Sequence, residues 1–309
     1  MRVGLVDVDG HHYPNLALMK ISAWHKKRGD SVEWAMPLFG YDKVYKSKVF
    51  TFTEDDQYDY GCETEKGGTG YGDYGKVLPD EVEHTCPDYS LYNITDVAYG
   101  FTTRGCIRKC SFCIVPKKEG KIRPHADVEE FLDGKKNLIL MDNNIVAHEH
   151  GIKQLEKCKQ MGVAVDCNQG MDARIIAKSE YLMKLIADLP TYGGYIRIAC
   201  DDKSEIEPCR AVIDKVSAEN PKKLFLVFCI LTEDKDDSFN RVNVWREYGH
   251  KVCVYAPPYR DFTNPKQVIP RWQKDMARWA NNRFLYYSCE FRDYKRSRHE
   301  ESIEALSVL

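Results

Sequence analysis

From residue 98 to residue 256 the chain alternates, with little slack, between strand-length apolar runs and helix-length amphipathic stretches. The runs are AYGFTT (98–103), NLILMD (137–142), VAVDC (163–167), YIRIAC (195–200), LFLVFCI (224–230) and KVCVYA (251–256). Between them GIKQLEKCKQMG aligns Ile152, Leu155 and Cys158 on one face. SEYLMKLIADLP aligns Leu182, Leu185, Ile186 and Leu189 behind Ser179, a natural N-cap. SEIEPCRAVIDKVSAEN aligns Cys209, Val212, Ile213 and Val216. Strands that each lead into a helix-length crossover predict an α/β fold with a parallel sheet, wound as a (β/α)6 partial barrel over residues 97–260. Chemistry in such folds collects at the C-terminal ends of the strands.

The flanks read differently. RVGLVDVD, PNLALMKISAWHKKRGD and SVEWA form a β-α-β start, with Pro14 suited to the first helical turn and Gly29 to the C-cap. Residues 1–56 are therefore expected to be a small Rossmann-like β/α domain. Residues 57–96 are rich in Gly, Tyr and acids without periodicity and read as a linker. Residues 261–309 read as a C-terminal cap: a helix with Trp272, Met276 and Trp279 on one face, followed by an aromatic strand. Residues 271–298 hold eight Arg or Lys against three Asp or Glu, a pattern that favours a packing helix with a solvated tail over a nucleic-acid surface.

Composition narrows the function. The 309 residues carry a formal charge of −2, so no global basic field marks a nucleic-acid binder. The longest apolar run, LFLVFCIL, is a buried strand and too short for a membrane span. MRVGLVDVDG lacks the apolar core of a signal peptide, so a cytoplasmic protein with no membrane partner is expected. In that setting twelve cysteines read as thiols rather than a disulfide framework. Cys158, Cys200, Cys229 and Cys253 fall on apolar faces and read as small buried hydrophobes. Cys106, Cys110 and Cys113 differ, being crowded into GCIRKCSFC just after the first strand of the series. Arg104, Arg108 and Lys109 favour their thiolates. Three soft donors on one loop suit an iron–sulfur cluster with one open position, or a zinc knuckle completed by a distant His or Cys.

The Cys-x-x-x-Cys-x-x-Cys spacing resembles the signature of the radical S-adenosylmethionine (SAM) superfamily. The resemblance implies a [4Fe–4S] cluster on Cys106, Cys110 and Cys113, with SAM on the fourth iron. It implies reductive cleavage of SAM to a 5′-deoxyadenosyl radical that abstracts hydrogen from a substrate. Phe112 occupies the aromatic position that this family sets against adenine. By position Asp142, Asn143 and Asn144 look like the family's Gly-Gly-Glu segment, without its glycines. The third strand delivers Asn168, Gln169, Asp172 and Arg174, a density of polar groups suited to a ribose and a carboxylate. Arg197, on the fourth strand, is a further candidate SAM contact.

Other readings attach to the rest of the chain. Asp9, His11 and His12 follow the first N-terminal strand in DVDGHHYPN, which resembles half of the Asp-x-His-x-x-Gly element of cobalamin-binding domains. Pro14 stands where the glycine belongs and the domain is short, so cobalamin itself is disfavoured. These three residues and Tyr259 are expected on the substrate side. Cys289 is a candidate hydrogen donor to a substrate radical. The resemblance also implies a flavodoxin- or ferredoxin-like electron donor. The rival activities are methylation or methylthiolation of RNA or a cofactor. Methylthiotransferases share the IVP that follows the third cysteine, but only Cys62 and Cys86 are available here for a second cluster. The rival from another class is a zinc or redox binding module without turnover.

Overall fold

The structure is a computed structural model and describes residues 1–261, 264 and 266–295. The chain forms two compact units: the first chiefly Met1–Gln169 with Leu189–Gly193, the second Gly170–Asp188, Gly194–Asp261 and the segment from Lys266. Both are mixed α/β, with sheets that are mostly parallel.

Unit 1 opens with β1 (Arg2–Asp7), α1 (Leu16–Lys27) and β2 (Ser31–Trp34), the expected β-α-β start. The helix begins two residues after Pro14, which lies before the N-cap. Asn15 is the N-cap, its side-chain oxygen accepting the Leu18 N–H at 3.3 Å. Leu18 and Ile21 pack on Val3 and Leu5 of β1. β3 (Lys43–Ser47) and β4 (Glu63–Gly67) complete a parallel sheet of order β2-β1-β3-β4. The crossover from β2 to β3 lies against Gly4, where a Cβ would meet Ala35, Tyr41 and Val44 at 3.0–3.1 Å.

β4 falls inside the segment that the sequence marks as a linker, and α2 (Asp80–Glu83) also sends Val82 into the core beneath α1. Residues 57–96 therefore build the first sheet rather than merely follow it. ETEKG carries no apolar signal because β4 is an edge strand, held by its ladder to β3 and by Lys43, which pairs with Glu63 and Glu65 at 3.1 Å each.

The second sheet of unit 1 holds the first half of the alternating series. β5 (Val97–Gly100) is followed by β6 (Thr103–Arg104), α3 (Val115–Lys118), β7 (Arg123–Pro124) and α4 (Glu129–Leu132). Then come β8 (Asn137–Leu140), α5 (Glu149–Met161) and β9 (Ala164–Cys167). β5, β8 and β9 are adjacent and parallel, while β6 and β7 pair antiparallel and close a hairpin.

Unit 2 carries the other half. β10 (Met171–Asp172), α6 (Ala173–Ile176), α7 (Glu180–Asp188), β11 (Tyr195–Ala199) and α8 (Ile206–Glu219) come first. β12 (Leu224–Phe228), α9 (Lys235–Asn243) and β13 (Val252–Tyr255) follow. The four strands form a parallel sheet in chain order. Ser179 caps α7 as expected, accepting the Leu182 N–H at 3.2 Å. α10 (Arg271–Asn281) buries Met276 and Trp279 but leaves Trp272 half-exposed. The aromatic segment after it is a helix, α11 (Arg283–Ser288), not a strand. Asn282 caps it, and Tyr286 sits 5.0 Å from the Trp279 ring with its hydroxyl on the Val242 carbonyl at 2.7 Å. The end of the expected cap, residues 296–309, lies outside the described residues. No described helix is long and apolar enough to cross a membrane.

Candidate functional site

The three-cysteine loop is the loop of the β6–β7 hairpin, immediately after β5. Its root is buried: Thr102 and Thr103 are inaccessible to solvent. Asp142, at the end of β8, accepts the backbone N–H of both threonines and both hydroxyls, Thr102 Oγ1 at 2.7 Å and Thr103 Oγ1 at 2.6 Å. Burial pushes the Asp142 pKa above the ordinary carboxylate value, against the opposing pull of these donors. The sequence places Asp142 among the SAM contacts; in the structure its carboxylate oxygens hold the root of the cysteine loop.

Glu119 makes the second tie. Its Oε2 accepts the Gly105 N–H at 2.8 Å and the Asn143 side-chain amide at 2.9 Å. Its Oε1 lies 3.6 Å from the Arg104 guanidinium, which stacks on Phe101 at 3.9 Å. The Glu119 carbonyl accepts from Arg123 on β7 at 2.8 Å. Gly105 has φ +82°, and a Cβ there would meet the Lys121 carbonyl oxygen at 2.3 Å, so only glycine fits this crossing. Nothing in the sequence marks Glu119, because its partners are set by hairpin closure.

Within the loop the Cys106 N–H donates to the Gly120 carbonyl at 3.2 Å and the Cys113 N–H to the Cys110 carbonyl at 3.1 Å. Two sulfurs accept backbone donors: Arg108 N–H to Cys106 Sγ and Val115 N–H to Cys113 Sγ, each at 3.4 Å. All three cysteines are half-buried, and all twelve in the chain are free thiols. The donor set fits an iron–sulfur cluster or a soft metal in kind, and N–H groups on sulfur are among the features that tune such centres. The thiols stand on a pinned loop. Among the described residues no group of three His, Cys, Asp or Glu is placed to hold a metal ion.

Because β5, β8 and β9 are parallel neighbours, the loops after all three leave from one sheet edge. That edge carries Cys106, Cys110, Cys113 and the half-buried Phe112, together with Asp142, Asn143 and Asn144. It also carries Asn168 and Gln169, the Asn168 N–H donating to the Leu140 carbonyl at 3.0 Å. Asn144 is buried and opens the turn Ile145–Ala147, its carbonyl accepting the Ala147 N–H at 3.0 Å. Gln169 is exposed.

Asp9, His11 and His12 stand at the end of β1. The strand order reverses between β1 and β3, the place where open parallel sheets hold ligands. Asp9 reaches across it and accepts the N–H groups of Val49 and Phe50, so the chain's own carboxylate sits on these donors. His11 stacks on Trp34 at 4.0 Å, and His12 is exposed.

In unit 2 the expected carboxylate-gripping arginine is committed to protein carboxylates. Arg174 forms a two-pronged pair with Asp172, at 2.8 and 3.0 Å, and reaches Glu205 at 2.7 Å. Asp172 also caps α6. Glu205 accepts the Asp201 N–H at 2.7 Å, and burial pushes the pKa of both Glu205 and Asp201 upward. Arg197 is half-buried on the face of β11 opposite Ile196 and Ile198. Tyr259 is half-buried, its N–H on the Leu231 carbonyl at 3.0 Å. Cys289 ends α11 with its thiol on the Leu285 carbonyl at 3.5 Å. Cys158, Cys200 and Cys229 are buried as expected, whereas Cys253 is only half-buried.

Compared with known proteins, the chain matches no family model, and no curated protein shows significant similarity to it. Fold and site together therefore define an α/β chain with mostly parallel sheets and a thiol-rich hairpin at one strand-end edge.

Proposed function

We propose that the chain is a radical SAM enzyme. The observation that carries the reading is the placement of Cys106, Cys110 and Cys113, in Cys-x-x-x-Cys-x-x-Cys spacing, on a pinned hairpin at the C-terminal end of the first strand of a parallel series. The finer fold, a (β/α)6 partial barrel, belongs to the same proposal. It is supported by the alternation in β8, β11 and β12, where one face is buried and the other, carrying Ile139, Arg197 and Leu226, is half-exposed.

In this reading Cys106, Cys110 and Cys113 hold a [4Fe–4S] cluster, and the N–H groups of Arg108 and Val115 support two of its sulfur ligands. When bound, the cluster supplies one electron for the reductive cleavage of SAM to a 5′-deoxyadenosyl radical. Phe112, Asn143, Asn144, Asn168 and Gln169 are the SAM contacts proposed on the same edge. Asp142 holds the loop root from the end of β8. A flavodoxin- or ferredoxin-like donor and a cytoplasmic location complete the proposal.

The test is anaerobic reconstitution with iron and sulfide. The expected product is brown, with broad absorbance at roughly 400 nm from thiolate-to-iron charge transfer. SAM and dithionite should then release 5′-deoxyadenosine, and replacing Cys106, Cys110 or Cys113 by Ala should abolish both signals. A colourless protein that retains one zinc would overturn the reading in favour of a binding module.

A further inference from the structure

Glu119 lies outside the cysteine spacing, yet its side chain is only 8% exposed and joins the end of β6 to the end of β8. It accepts from the amide of Gly105, the residue before Cys106. It accepts from Asn143, which leaves β8 on the same edge. Its carboxylate faces Arg104 on β6, while its own carbonyl takes Arg123 on β7. One buried carboxylate thus fixes where the cysteine loop starts, how its two limbs close and how it sits against the end of β8. A hydrogen bond to an ionised, buried acceptor is stronger than a neutral one and is direction-specific.

We propose that Glu119 is the positioning residue of the cysteine loop: it sets the placement of Cys106 relative to Asn143, and through it the loading and electronic environment of the metal centre. The inference rests on the metal-binding reading for its second half only. Its first half concerns the metal-free chain. The geometry also makes Glu119 the link between the loop and the strand end.

The experiment compares wild type with Glu119→Ala, Glu119→Gln and Asn143→Ala, all as full-length chains. In the metal-free protein, alkylation of Cys106, Cys110 and Cys113 is followed by mass spectrometry, with Cys62 as internal reference. Losing a charge-assisted tie at the root should speed Cys106 alkylation roughly tenfold in Glu119→Ala. Glu119→Gln, which keeps an oxygen acceptor, should lie between, and Asn143→Ala should have a smaller effect. Alkylation of Cys62 should not change, which separates loop release from general unfolding. After reconstitution, Glu119→Ala should hold less than half the wild-type iron, and Glu119→Gln should load iron but, once reduced with dithionite, show a shifted electron paramagnetic resonance spectrum. Unchanged Cys106 alkylation in Glu119→Ala would overturn the positioning role, whatever the metal result. If wild type takes up no iron, the radical reading fails and the alkylation result still decides the role of Glu119. If wild type loads iron and Glu119→Ala matches it in content and spectrum, the metal half of the proposal is refuted while the radical reading stands.

Discussion

Replacing Asp142 by Ala is the sharpest perturbation of the strand-end edge. Asp142 is 2% exposed and satisfies four donors on Thr102 and Thr103, both of which are fully buried. The hydroxyls can rotate to other acceptors, but the two backbone N–H groups cannot. Each orphaned buried donor costs about 1–3 kcal/mol, so the loss of both comes to about 2–6 kcal/mol. Removing the carboxylate also relieves the desolvation cost that pushes its pKa upward, which trims the total. A net loss of about 3 kcal/mol is therefore expected for Asp142→Ala. Asp142→Asn keeps one oxygen toward the threonines and should lose about 1 kcal/mol. Urea denaturation measures the sum, and hydrogen exchange at the Thr102 and Thr103 amides locates it. If Asp142→Ala stays within about 0.5 kcal/mol of wild type, ordinary for a surface change, the hydrogen-bond account of the loop root is wrong.

Two further outcomes are expected from the same unit. Gly105→Ala combines φ +82° with a Cβ 2.3 Å from the Lys121 carbonyl, so it should destabilise by about 2 kcal/mol or more and release the hairpin, seen as faster alkylation of Cys106. Glu83 is pushed up by burial but pulled further down, to about 2, by the His125 hydrogen bond and the Lys20 charge. A depressed carboxylate stabilises above its unfolded pKa near 4.5 and loses that contribution as pH falls from there toward 2, so up to about 3 kcal/mol should vanish over that window. Glu83→Gln should flatten stability against pH between those limits; an unchanged profile would refute the assignment.

Much of the fold was legible because it depends on local pattern. All six strands of the alternating series form where their apolar runs stand, and α7 and α8 bury the faces that their periodicity marks, while α5 buries Leu155 and Cys158 and leaves Ile152 half-buried. β4 was not legible, because an edge strand of Glu, Thr and Lys owes its existence to a partner strand and to Lys43 rather than to its own hydrophobicity. The segment after α10 reads as a strand from its aromatic content; an Asn282 cap and the packing of Tyr286 against Trp279 make it helical.

The candidate site divides in the same way. The spacing of Cys106, Cys110 and Cys113 is a one-dimensional fact, so the sequence by itself determined that three soft donors share one loop after the first strand of a parallel series. It likewise determined which polar residues end the strands, since chain order and strand length fix the residues that come after each apolar run. Only the tertiary structure decided what those residues do. Asp142 turned out to serve the threonines at the loop root, and Arg174 to serve Asp172 and Glu205. Glu119, without any motif, came to hold Gly105 and Asn143. The physical reason is that a carboxylate or guanidinium has several ways to satisfy its charge, and which is taken depends on groups that chain folding brings within about 3 Å. Spacing along the chain carries no record of that choice.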